Sequence, residues 1–114
     1  MAVALKYDND DKLLYTPGGA VANKAVVQLN DQCFIAAAAI AAGEEGVIMR
    51  RGTFSGVAKP TDEAWTLNQA LYWDVSASEF TIDDDTGNNK YAGRAGAAAD
   101  TAAATGTIVL NTPL

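Results

Sequence analysis

No histidine occurs among the 114 residues, and there is a single cysteine, Cys33. The first absence removes the commonest general base, the commonest metal ligand and the side chain that changes charge near neutral pH. A Ser-His-Asp triad is therefore impossible. The second excludes an intrachain disulfide and any multi-cysteine zinc site. Cys33 sits in the apolar run Cys33-Phe34-Ile35 and reads as a small core residue rather than a reactive thiol. Basic residues are scarce as well: 8 Lys and Arg stand against 14 Asp and Glu, for a net charge of −6. Nucleic-acid binding draws much of its affinity from neutralising phosphates. The one adjacent basic pair here is Arg50-Arg51, and strand alternation would put its members on opposite faces. Long apolar runs are missing too. The longest, residues 33–42, is mostly alanine and too short to span a bilayer. The start, Met1-Ala2-Val3-Ala4-Leu5-Lys6-Tyr7, lacks the basic opening of a signal peptide and runs into Asp8-Asn9-Asp10-Asp11. A soluble protein made in the cytoplasm is expected.

What is present is short alternating runs punctuated by turn residues. Residues 1–11 read as an extended arm with an acidic turn, and residues 12–114 as a single β domain. Lys12-Leu13-Leu14-Tyr15-Thr16 is a candidate strand closed by Pro17-Gly18-Gly19. Ala25-Val26-Val27-Gln28-Leu29 is a second, with Asn30-Asp31 as its turn, and Cys33-Phe34-Ile35-Ala36-Ala37 a third. The alanines at 36–42 leave residues 34–42 fitting either a short alanine-rich helix or an extended stretch. The extended reading is preferred, because nine residues make a marginal helix and Gly43 ends the run at once.

The stretch 43–82 is the one the fold is expected to organise around. It opens on the turn Gly43-Glu44-Glu45-Gly46 and continues as one strand-like run from Val47 to Phe54, with Val47, Met49, Arg51 and Thr53 on one face. Lys59-Pro60-Thr61-Asp62 breaks it. Ala70-Leu71-Tyr72-Trp73-Asp74 and Glu79-Phe80-Thr81-Ile82 then read as paired strands. An acidic turn at 83–89, a strand at 90–95, a low-complexity loop expected to be flexible at 97–105 and a last strand at 107–110 complete the chain. About seven to nine short, mostly antiparallel strands with turns roughly every 8–12 residues predict an all-β fold, a small sandwich or barrel.

Tests for chemistry fail one by one. In the acidic turn, Asp83 and Asp85 match the first and third positions of a calcium loop, but Gly87 falls at the fifth and Arg94 at the twelfth. Lys12 spoils the same pattern after Asp8. In Gly52-Thr53-Phe54-Ser55-Gly56 the serine is off-centre for a nucleophile elbow. No phosphate-binding loop with its lysine occurs, nor a dinucleotide fingerprint. The pairs Glu44-Glu45 and Asp62-Glu63 are chain neighbours in turns, whereas acid–base work needs carboxylates facing each other across a cleft. No enzyme, cofactor or metal is predicted. Leu71 and Trp73 share a face and read as core, while Trp65 fits a core plug or an intersubunit contact. Exposed, Trp65 and Trp73 would make a ligand-stacking platform, the alternative function.

The arrangement resembles the DUF2190 family of tailed-phage capsid decoration, or cement, proteins. The residues that carry it are Pro17-Gly18-Gly19, a strand ending in Phe34, the Gly43-Glu44-Glu45-Gly46 turn and Arg51-Gly52-Thr53-Phe54. Ala64-Trp65, Leu71-Tyr72-Trp73-Asp74 with Glu79-Phe80-Thr81, and a later strand with Gly93 extend it. Tyr91-Ala92-Gly93 and the long alanine-rich loop depart from the family pattern. The resemblance implies a homotrimer on the outside of an expanded icosahedral capsid, bound to the major capsid protein, with no membrane or nucleic-acid partner. A recombinase label that many such sequences carry conflicts with the missing phosphate loop. Phe34, Phe54, Trp65, Leu71, Trp73 and Phe80 are expected in the core or an oligomer contact. Val3, Leu5 and Tyr7, on one face of the arm, are expected to grip the capsid by strand addition.

Overall fold

The computed structural model describes residues 12–112. Nine strands form two antiparallel sheets. The smaller holds β1 (Lys12–Tyr15), β4 (Gly46–Met49), β3 (Gln32–Ala36) and β2 (Val26–Leu29), in that spatial order. The larger holds β5 (Gly52–Ala58), β9 (Thr105–Leu110), β8 (Lys90–Ala95), β6 (Ala70–Asp74) and β7 (Glu79–Thr81). A 3₁₀ turn at Asp85–Gly87 is the only helical piece among the described residues.

Local chemistry explains the hairpins. Asn30 closes β2 onto β3 with φ of 54°, a left-handed conformation that asparagine tolerates better than most residues. In the β6–β7 turn the Asp74 carboxylate accepts hydrogen bonds from the Ser76 hydroxyl (2.8 Å), the Ser76 amide (3.1 Å) and the Ala77 amide (3.2 Å). Led by the Ser76 hydroxyl, these bonds hold its carboxyl below the usual 3.8.

Residues 36–42 settle as an extended stretch after β3. Ile40 pairs with Val21 through two backbone bonds of 2.8 Å, and its side chain fills the space over Gly46. The run from Val47 to Phe54, expected as one strand, is two. β4 stops at Met49, the chain bends at Arg50 and Arg51, and β5 begins at Gly52 in the other sheet. Gly52 has φ of 139°, outside the range of ordinary strand residues, and that permits the bend. Val47 and Met49 therefore share no face with Arg51 and Thr53. At the other end, the alanine-rich segment 97–105 is tied down rather than loose. Ala99 makes paired 2.9 Å backbone bonds with Trp65, the Lys59 amide reaches Ala104 O at 3.0 Å, and β9 starts at Thr105.

Two apolar clusters result, and β3 belongs to both. Cys33 and Ile35 face the larger sheet, where Trp65, Leu71, Phe80, Ala92, Ala95, Ile108 and Leu110 are buried. Phe34 and Ala36 face the other way, onto Ile40 and Ile48 with Leu13, Tyr15 and Val27 around them. A strand buried on both sides reads as a continuous apolar run, as this one does. The middle of the larger sheet is built from small residues. A Cβ on Gly93 would lie 2.2 Å from the carbonyl oxygen of Val109, a backbone atom that cannot move aside. Gly93→Ala should therefore destabilise the protein by about 3 kcal/mol, read as a lower denaturant midpoint. A midpoint within about 0.5 kcal/mol of the parent would show that β8 and β9 are not this close.

Candidate functional site

The residues picked out from the sequence do not converge on one place. Phe34 lies in the outer cluster of the smaller sheet, 3 % exposed. Leu71 and Phe80 are fully buried between the sheets. Phe54 and Trp73 are partly buried and pack on that same cluster. Trp73 sits opposite Phe80 across the β6–β7 pair, with ring centroids 4.8 Å apart.

Trp65 is 1 % exposed, which overturns the platform reading that required it to face solvent. Its ring occupies the space that a side chain on Gly106 would need, 2.4 Å from an ideal Cβ there. Its indole N–H donates to Glu63 Oε1 at 3.0 Å. The same carboxylate accepts from the Ile82 amide at 2.8 Å, and its other oxygen from the Thr81 hydroxyl at 2.7 Å. Glu63 thus fastens the loop after Pro60 to the end of β7, a structural use of a carboxylate. Lys59, 1 % exposed, does similar work: its ammonium donates to Pro60 O at 2.7 Å and Ala103 O at 3.0 Å. The sequence marked Glu63 as half of a carboxylate pair and Lys59 as part of a break, but neither of these structural roles. A lysine before proline reads as a solvated breaker, and the carbonyl it needs lies more than 40 positions away (|i−j| of 44).

Among the described residues no three His, Cys, Asp or Glu side chains gather closely enough to hold a metal ion. Glu44 and Glu45 are exposed in their turn. Cys33 is completely buried, and burial pushes its thiol up from 9.0 to about 12.

One concave feature lies where the two ends of the larger sheet approach each other. A groove of about 400 Å³ separates β5 from the β6–β7 hairpin, floored by Val26 and Ile35 of the smaller sheet. Phe54, Val57, Trp73 and Phe80 give it an apolar wall, and Lys24 stands at its rim. Val3, Leu5 and Tyr7, the expected capsid contacts, fall outside the described residues. No described helix is long and apolar enough to cross a membrane.

Two packed antiparallel sheets, with a carboxylate and a buried lysine holding loops, define an all-β protein. The chain belongs to the phage cement protein family, whose pattern it matches over residues 7–110. That membership gives it a capsid-associated structural role. No curated protein and no solved structure matches it significantly.

Burial of Cys33 has a direct check. At pH 8 the shift lowers the thiolate fraction by about a thousandfold, and the packed sheets also block access. A thiol reagent should leave the folded protein unlabelled over the time in which the denatured chain reacts fully. Labelling at equal rates would place Cys33 at the surface.

Proposed function

We propose that this protein binds the outer surface of an expanded phage capsid and reinforces it, without enzymatic activity. The observation that carries the reading is the family match over residues 7–110, nearly the whole chain. It is supported by an interior in which the polar side chains serve loops rather than a reactive centre. The partner is the major capsid protein. The working form is a homotrimer, made in the host cytoplasm and resident on the virion exterior. Reinforcement comes from burying apolar and backbone surface across the joints between shell subunits. Several weak feet on one oligomer act together: a foot with Kd of about 10 μM at an effective concentration of about 1 mM adds about 2.7 kcal/mol. The feet are the N-terminal segments, where Val3, Leu5 and Tyr7 alternate with smaller or polar residues and suit addition to an exposed strand edge.

Purified protein should co-sediment saturably with emptied, expanded capsids and far less with unexpanded ones. Equal recovery with both, or none with either, would overturn the reading. The contact has its own test. Leu5→Asp in the full chain should lower shell occupancy at sub-saturating concentration about tenfold or more, equivalent to about 1.4 kcal/mol or more for the oligomer as a whole. Undiminished occupancy, counted by electron microscopy, would move the grip to another surface.

A further inference from the structure

The groove between β5 and the β6–β7 hairpin keeps apolar wall uncovered: Phe54, Val57 and Trp73 are only partly buried there. Of the residues that line it, Lys24 alone carries a charge. Lys24 is exposed, and its ammonium makes no hydrogen bond or ion pair among the described residues. Apolar surface with a single cation at its rim is matched by an apolar side chain that has a carboxylate beside it.

The chain itself presents that chemistry elsewhere. Three large apolar residues stand out from its described surface: Leu67 is 69 % exposed, Val75 62 % and Ile82 40 %. Leu67 lies between Thr66 and Asn68, with no charge next to it in the chain. Val75 follows Asp74, whose carboxylate is already engaged by the hydroxyl and amide of Ser76 and the amide of Ala77. Ile82 is followed by Asp83, Asp84 and Asp85, all exposed, and the Asp84 carboxylate has no partner among the described residues. Ile82 is the one of the three that joins an exposed apolar side chain to an available acid.

This surface is also held in shape. The Ile82 amide donates to Glu63 Oε1 at 2.8 Å, the Asp85 amide to Asp83 Oδ1 at 2.9 Å and the Asn89 side-chain amide to Asp83 O at 2.9 Å. A surface fixed beforehand loses little conformational freedom on docking. Ile82 does not line the groove of its own chain, so projection and groove are separate surfaces of one molecule. With a net charge of −6, two copies repel each other unless a cation of one meets an acid of the other at their contact.

We propose that the groove of one copy receives Ile82 of a second copy, with the second copy's Asp84 beside Lys24. Because projection and groove differ, the contact runs head to tail and closes into a ring where the rotation between copies permits. It deepens the homotrimer reading and rests on it for the number of copies alone. Capsid binding does not enter.

The test uses the full chain without shells, with assembly followed by sedimentation equilibrium at low salt. Ile82→Asp leaves the backbone bond to Glu63 in place and should raise the dissociation constant about tenfold or more. Leu67→Asp adds the same charge away from the contact and should change it less than about twofold. Lys24→Glu and Asp84→Lys should each weaken assembly about fivefold, and together return it to within about twofold of the parent, whose net charge the double variant keeps. Both positions are exposed, so this exchange decides the matter even where Ile82→Asp folds poorly. A parent that stays monomeric up to about 1 mM overturns the contact and the homotrimer together. Unchanged assembly in a folded Ile82→Asp variant, or charge variants whose effects show no recovery when combined, overturns the contact and leaves the homotrimer standing. The expected pattern in an oligomer of another size supports the contact and overturns the homotrimer.

Discussion

The two sheets are held in register by the side chain of one asparagine. Asn111 follows β9 with φ of 53°, and this left-handed turn aims its amide group back across the joint between the sheets. Both side-chain N–H donors are used, one on the carbonyl of Cys33 in β3 and one on that of Arg50 at the bend between β4 and β5. Its backbone N–H goes to Ala92 O in β8. Four segments meet at one residue. The amide thereby ties the bend at Arg50 and Arg51 to β3 and to the end of β9. The placement of β5, and hence of the groove, follows from the bend.

Close approach of backbone is the second constraint. Gly93 lets β8 lie against the Val109 carbonyl, and Gly106 leaves the room that the Trp65 ring fills. The aromatic plug, its Glu63 acceptor and the Ala99 backbone pair then hold the alanine-rich segment against the sheet. That segment has little hydrophobic surface of its own. Its order comes from what it is tied to, through Trp65 and the buried Lys59.

Those constraints also explain which parts of the fold were legible in the chain. β1, β2, β3, β6, β7 and β8 were readable because their signals are local: alternation or an apolar run, bounded by Pro17-Gly18, Asn30-Asp31 or the residues after Asp74. The all-β class followed from the same spacing. The break inside the Val47–Phe54 run was not readable, because its cause is Asn111, some 60 positions away, together with one glycine angle. The middle of the larger sheet was hidden as well. Counting large apolar residues directed attention to the stretch 43–82, whereas Ala92, Gly93 and Ala95 are central because they are small. Trp65 illustrates the limit most simply. Its neighbours Ala64 and Thr66 carry no sign that it plugs the space over Gly106. The expected capsid contacts Val3, Leu5 and Tyr7 fall outside the described residues, and the groove appears only once β5 and the β6–β7 hairpin are brought together.

The double burial of β3 bears on how substitutions combine. Within Cys33-Phe34-Ile35-Ala36, odd positions touch the cluster between the sheets and even positions the cluster on the far face. Covalent neighbours are therefore separated by the sheet itself, while Ile35 shares its cluster with Ile108 and Leu110 from the far end of the chain. Energetic coupling follows contact rather than sequence distance. Changes at Phe34 and Ile35 should add as if they lay in unrelated sites, and those at Ile35 and Ile108 should not. In the evolution of this chain, a drifting core residue would find its compensating change about 70 positions away more readily than next door.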